Sequence, residues 1–262
     1  EVLAVVTQPD RPVGRKKVLT PPPVKEEALA LGLPIIQPEK LRGSKELEEI
    51  LALNPDLVVT AAFGQILPKE LLEAPRLGCI NVHASLLPLY RGGAPIHQSI
   101  IDGQSKTGVT IMYMAEKLDA GDIISQSEIA IEDTDHTGSM FEKLSRVGRQ
   151  LLKETMPSII NGTNARIVQD ESLVTYARNI SREQELIDWN NDARALYNQV
   201  RGLHPWPVAY TTFEGANFKI WWAKVGDTTT NATPGAVVKI AKDYFEVATG
   251  DGNALALYDV QP

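Results

Sequence analysis

Residues 79–95 read Cys79-Ile-Asn-Val-His-Ala-Ser-Leu-Leu-Pro-Leu-Tyr-Arg-Gly-Gly-Ala-Pro95. Cys79, Ile80 and Val82 are apolar and mark the end of a buried strand. Asn81 and His83 alternate with them, and residues two apart on a strand point to the same face. An amide and an imidazole therefore project side by side from a strand terminus. The chain then breaks at Pro88 and Gly92–Gly93. Polar groups at the carboxyl end of a strand, followed by a loop, are where open α/β sheets keep their chemistry.

The surrounding pattern fits that architecture. Val2–Thr7, Leu57–Ala62 and Gly78–His83 read as short buried strands, and Gly108–Met114 and Asp122–Ile131 as two more. Helices are expected between and after them. Pro23–Leu31 has Pro at its start and Gly32 past its end. Ser44–Leu53 has a capping serine, with Leu47, Ile50 and Leu51 at helical spacing. Pro68–Glu73 and Ala94–Asp102 are shorter. Thr137–Ile160 carries Met140, Phe141, Leu144, Val147, Leu151, Leu152 and Ile159 on one stripe. The alternation predicts a doubly wound, mostly parallel, Rossmann-like α/β sheet. Gln8–Pro23, rich in Pro, Gly and basic residues, reads as a loop.

Near Arg166 the character changes. Asn191–Leu203 reads as a helix ending before Pro205, and from Val208 onward helices disappear. Val208–Phe213, Phe218–Val225, Ala236–Ile240, Tyr244–Ala248 and Leu255–Val260 are five closely spaced strands, which predicts a small β-barrel of the OB type. The expected division is a catalytic domain over 1–165, a linker over 166–183 and an OB-like domain over 184–262. The chain opens at Glu1 inside a strand-like run and closes in another, so truncation at both ends is expected.

Composition bounds the function. The 262 residues are 43% hydrophobic and 23% charged, with net charge −7. These are ordinary globular proportions. No run of about 18 apolar residues is present to span a membrane. Cys79 is the only cysteine, which rules out an intrachain disulfide and argues against a cysteine-based zinc site. It reads as a small buried hydrophobe. The acidic balance argues against a nucleic-acid coat over the whole surface but leaves room for a local basic patch.

Three constellations carry chemistry. The Asn81/His83 pair suits acyl transfer: imidazole moves protons near neutral pH, and a neutral amide donates to a developing oxyanion. Leu118-Asp119-Ala120-Gly121-Asp122 reads from spacing alone as a turn. Its functional alternative is that Asp119 reaches His83 and tunes its proton affinity. The loop Asp10-Arg11-Pro12-Val13-Gly14-Arg15-Lys16-Lys17 holds four basic residues against one acidic. It is either a solvated loop or a phosphate-contacting one. His97, His136 and His204 read as structural or solvent-facing. Trp206, Trp221 and Trp222 either stack on bases or fill a barrel core, and at least two are expected in the core.

Asn81-Val-His83-Ala-Ser-Leu-Leu-Pro88 followed by Tyr90-Arg-Gly-Gly-Ala-Pro-Ile96 resembles the signature of the folate-dependent formyltransferases. Thr7-Gln-Pro-Asp-Arg-Pro-Val-Gly-Arg15, Leu118–Asp122 and His204-Pro-Trp-Pro207 narrow the resemblance to the branch that acts on charged initiator tRNA. It covers essentially the whole chain, with five motifs in the expected order. It implies that 10-formyltetrahydrofolate, a co-substrate, gives its formyl group to the α-amino group of methionine on initiator tRNA, with no metal. Residue by residue, Asn81, His83 and Asp119 match the catalytic trio. Ser85, Leu86, Leu87 and Pro88 match the folate-contact segment. Arg15, with Arg11, Lys16 and Lys17, matches the basic loop that contacts the tRNA acceptor end. The C-terminal module matches the tRNA-binding domain.

The family begins with a strand, a Gly-Thr-Pro turn and a helix, roughly thirty residues in all. That unit is missing here, and its strand belongs centrally in the sheet. A monomer in a bacterial cytoplasm is expected, or an organellar protein if a transit peptide preceded Glu1. Two other acceptors keep the same chemistry: a small amine such as a sugar nucleotide, or water in a formyl-folate hydrolase. The basic loop favours tRNA over both. A third reading, an inactive RNA-binding protein, is disfavoured by the complete Asn81/His83/Asp119 set.

Overall fold

The structure is a computed structural model and describes residues 1–262. The chain forms two compact units. The first comprises Glu1–His83, Ile111–Ser125 and Leu152–Gln169, and the second Ala84–Thr110, Gln126–Leu151 and Asp170–Pro262.

The elements open with strand β1 (Val5–Val6) and a hairpin of β2 (Arg11–Val13) and β3 (Val18–Thr20). Helix α1 (Pro23–Ala30), strand β4 (Ile35–Ile36), helix α2 (Lys45–Ala52) and strand β5 (Val58–Thr60) follow. Then come α3 (Lys69–Glu73), β6 (Cys79–His83), α4 (Pro95–Ile101), β7 (Lys106–Tyr113), β8 (Ile123–Ala130) and the long α5 (Thr137–Asn161). The predicted helices and strands of this half are found with ends shifted by a few residues. The stretch from Gln8 to Pro23 is a correction: it holds the exposed β2–β3 hairpin rather than a plain loop.

Helix ends follow from local chemistry. The Ser44 hydroxyl accepts the Leu47 N–H at 3.1 Å, an N-cap worth about 1 kcal/mol. Helix α1 closes on Gly32, whose φ of 66° suits a residue without Cβ. There Leu33 N–H reaches Ala28 C=O at 2.9 Å and Gly32 N–H reaches Leu29 C=O at 3.1 Å, so the last carbonyls are satisfied.

Strands β1 and β4 pair in parallel, as do β5 and β6. The four-stranded sheet runs β5-β6-β7-β8. Strands β7 and β8 run antiparallel: Tyr113 N–H donates to Asp122 C=O at 2.9 Å, and Gly108 faces Ser127 further along. Met114 N–H donates to Cys79 C=O at 2.8 Å, setting the end of β7 against the start of β6, so the sheet is mixed. A core of Ile36, Leu41, Leu47, Ile50, Leu67, Leu71 and Cys79 backs the strands of the first unit. Each large aliphatic side chain fully buried there contributes about 1.5–3 kcal/mol.

In the second unit a 3-10 turn (Glu171–Leu173) and short helix α6 (Arg182–Glu185) lead to α7 (Ala193–Gly202). Asp192 caps α7 by accepting the Ala195 N–H at 2.7 Å. The remaining strands are β9 (Ala209–Phe213), β10 (Ala216–Val225), β11 (Val237–Ile240), β12 (Phe245–Ala248) and β13 (Ala254–Gln261). They form one antiparallel sheet in the order β11-β12-β13-β10-β9. These are the five strands expected of the OB-like module. Its ladder ends at β11 and β9, so the sheet stays open. Glu214 and Gly215, both at positive φ, make the two-residue turn that matches strand twist between β9 and β10.

The tryptophans require a correction. Only Trp222 of the three packs against the C-terminal core. Trp221 donates its indole N–H to Gln261 at 3.2 Å, and Trp206 is half exposed. His97 is buried edge-on to Trp206 and Phe141, and burial holds its pKa below the usual imidazole value. His136 and His204 meet edge to face at 4.7 Å.

Candidate functional site

The register of β5 on β6 sets Thr60 beside Asn81. Neighbouring side chains in register share a sheet face, so the two meet: the Thr60 hydroxyl donates to Asn81 Oδ1 at 2.8 Å. Ile80 C=O and Met114 Sδ lie at 3.1 and 3.2 Å from the same hydroxyl, which has one proton to give. With Oδ1 engaged by Thr60, the Asn81 amino group is the donor edge left to serve a ligand.

Two residues along the same face, His83 is 5% exposed. Its Nδ1 lies 3.8 Å from Asp119 Oδ2, within ion-pair distance. Residues 36 positions apart in sequence are thus brought together, as the resemblance implies. Asp119 sits in the turn between β7 and β8 at a φ of 46°. Asp is one of the few side chains that enters this left-handed region readily. A Cβ at Gly121 would overlap the Tyr113 carbonyl oxygen, so the turn needs glycine there.

The loop after β6 belongs to the second unit. Thr110 is its anchor: its Oγ1 donates to Ser85 C=O at 2.7 Å and accepts the Leu87 N–H at 3.1 Å. Gln126 adds a donor to Leu87 C=O at 2.9 Å. The Ser85 hydroxyl is turned inward onto Leu89 C=O at 2.6 Å. Ser85 and Leu87 are buried, whereas Leu86 and Pro88 keep part of their surface. Arg91, fully buried, pairs with Glu171 at 2.9 Å. Side chains at Gly92 and Gly93 would collide with Ala177 and Asn179, so the Gly-Gly step lets the 175–179 segment lie against this loop.

The basic residues occupy the β2–β3 hairpin. Arg15, Lys16 and Lys17 are exposed at its tip, where Lys17 N–H closes on Gly14 C=O at 3.1 Å. Arg11 stands lower on the hairpin and pairs with Glu39 at 2.7 Å. At the base, hydrogen bonds from Gln37 and Lys25 hold the Asp10 carboxyl below its ordinary pKa. The buried Cys79 thiol donates to Leu71 C=O at 3.3 Å, and burial pushes its pKa up to about 12, so it is no nucleophile.

Sequence reasoning missed two residues that hold this site. Thr60 was hidden because a strand register cannot be read from one strand. Gln169 lies in the stretch expected to be a linker, yet its amide donates to both Asp119 C=O and Gly121 C=O, each at 2.8 Å.

Known proteins are similar to this chain in sequence and in fold. The family model described as formyl transferase matches residues 1–156, and that of the formyl transferase C-terminal domain matches 179–262. A methionyl-tRNA formyltransferase of Lysinibacillus sphaericus is 76% identical over the whole chain, which spans 84% of that relative. A solved sugar 3N-formyl transferase, WlaRD, superposes with a TM-score of 0.71 at 18% identity, covering 97% of this chain and 86% of that one. HypX from Aquifex aeolicus in complex with tetrahydrofolic acid superposes with a TM-score of 0.64 at 18% identity, covering 88% of this chain and 40% of its own. At these identities the two structures speak for the fold alone.

Proposed function

The chain belongs to the formyltransferase family, and on that premise we propose that it transfers the formyl group of 10-formyltetrahydrofolate to the α-amino group of methionyl initiator tRNA, giving N-formylmethionyl-tRNA. The observation that carries this reading is the pairing of His83 with Asp119 at the end of β6, two residues along the strand from Asn81. The full-length likeness to a methionyl-tRNA formyltransferase supports the acceptor. Residues 1–165 supply the chemistry and 184–262 the second tRNA-binding element, with 166–183 joining them in sequence. Bacterial relatives support a cytoplasmic setting.

The reaction needs no covalent enzyme intermediate. The neutral α-amino group, which titrates close to physiological pH, adds to the formyl carbon. The carbonyl electron pair moves onto oxygen, where the Asn81 amino group donates to it. A correctly aimed donor of this kind is worth about 10²–10³ in rate. Collapse of the tetrahedral species breaks the bond from carbon to N10, and one proton passes from the attacking nitrogen to N10. His83 carries that proton, and Asp119 orients the imidazole and stabilises its charged form. Ser85, Leu86, Leu87 and Pro88, which follow β6 directly in the chain, are assigned to folate contact. Arg11, Arg15, Lys16 and Lys17 take tRNA phosphates.

The test is direct. Purified protein given 10-formyltetrahydrofolate and charged initiator tRNA should yield formyl-methionine. Turnover on a sugar amine or on water, with none on tRNA, would overturn the assignment. Binding of tRNA without turnover on any acceptor would favour a binding protein instead.

A further inference from the structure

We propose that Gln169 is a positioning residue for this reaction: its carboxamide holds the turn between β7 and β8 so that the Asp119 carboxylate faces His83. The inference rests on the reading that Asn81, His83 and Asp119 carry the chemistry.

Gln169 is 5% exposed, and its amide nitrogen donates to the carbonyls of Asp119 and Gly121 at 2.8 Å each. An amide nitrogen has two protons to give, so these bonds use both. They grip the turn on either side of Ala120, at the residue whose direction matters. Asp119 stands in the left-handed region, which Asp tolerates better than most residues but still enters only where the surrounding turn holds it there. Its carboxylate points where it does only while that backbone conformation lasts. Removing the two donors leaves two carbonyls without their partner and frees the turn to relax. The margin is small: the distance from Asp119 Oδ2 to His83 Nδ1 is already 3.8 Å.

Gln169 is itself held in place. Ile167 pairs antiparallel with Ile123, exchanging hydrogen bonds of 2.8 and 2.9 Å. Arg166 bonds Asp122 at 3.1 Å and lies 4.1 Å over the Tyr113 ring. The strip 166–169 is thus laced to the beginning of β8 and ends on the catalytic turn. It acts as a brace at the point where a connecting segment was expected.

The experiment measures kcat and both KM values for Gln169→Met and Gln169→Glu, in the parent and in an Asp119→Asn background. Gln169→Met keeps the length and loses both donors. Its kcat should fall about tenfold to a hundredfold, the scale of a displacement near 1 Å, with KM for tRNA and folate nearly unchanged. In the Asp119→Asn background the same change should cost almost nothing further. In Gln169→Glu, protonation restores one donor, so its kcat relative to the parent should rise as the pH is lowered. That ratio decides the matter if Gln169→Met melts early. An unchanged kcat in Gln169→Met, an equal loss in both backgrounds, or a flat pH ratio in Gln169→Glu would each overturn the proposal. A parent rate that survives Asp119→Asn would instead refute the trio itself, and the brace with it.

Discussion

The end of β6 and the β2–β3 hairpin are both polar, and both lie in the first unit, yet they are built in opposite ways. At β6, His83 is buried, Asn81 is tied by Thr60, and Asp119 is tied by Gln169. On the hairpin every residue from Arg11 to Thr20 is exposed, and three cross-strand pairs hold it together. On the proposed function, the difference matches two physical tasks. Moving a proton and cradling an oxyanion demand fixed sub-ångström geometry away from water. Attracting a polyanion demands only charge, which acts over about 8 Å at physiological salt and tolerates loose placement. On that reading, order is concentrated where bonds are proposed to change and is sparse where charge would suffice.

That contrast can be broken by experiment. His83→Ala should produce the largest effect, a kcat loss of about 10³ with tRNA affinity unchanged, read by single-turnover kinetics and filter binding. A variant that mainly lost tRNA affinity would erase the distinction. Thr60→Val should come next, lowering kcat about tenfold by releasing the Asn81 amide, while Thr60→Ser stays near the parent. Equal losses in both would show that Thr60 only fills space. Smaller again, Arg15→Ala should weaken tRNA binding severalfold, an effect that shrinks as salt rises, and leave kcat at saturating tRNA intact. A loss that ignores salt would remove the hairpin from the comparison.

The smallest effect concerns stability, away from both regions. Burial holds His97 and His204 below the ordinary imidazole pKa of 6.5. The unfolded chain therefore takes up protons first as the pH falls. Stability should be full above about pH 6.5 and decline from there through the lowered folded values. Asp251, held at about 2 by a hydrogen bond from Thr249, acts only in the more acidic window below its usual 3.8. Thermal scans should show the melting point falling by a few degrees between neutrality and pH 5, and falling less in His97→Phe. A flat profile in the parent would refute the cause.

Much of this was legible in the chain. Alternation of Asn81 and His83 with Ile80 and Val82 located β6, Ser44 located the start of α2, and the stripe from Met140 to Ile159 located α5. What escaped shares one property: it depends on a neighbour in space. The Arg11–Val13 and Val18–Thr20 strands are exposed on both faces and show no alternation. The two-residue strand Ile35–Ile36 exists only because β1 pairs with it. Gln169 stands in a stretch of no periodicity, and only the turn it grips gives it meaning. Asp119 was a turn residue by spacing and became a site residue through resemblance.

The burial of Cys79 has a practical consequence. Its thiol is the only one in the chain, is 2% exposed, and is held protonated by a pKa of about 12. Maleimides and iodoacetamides, which react with thiolates, will pass it by at neutral pH. A cysteine introduced at Lys16 on the hairpin tip would therefore take a fluorophore alone, with the native residue left in place. Fluorescence anisotropy of that dye could then follow tRNA capture in real time, in a protein whose β6 end is untouched.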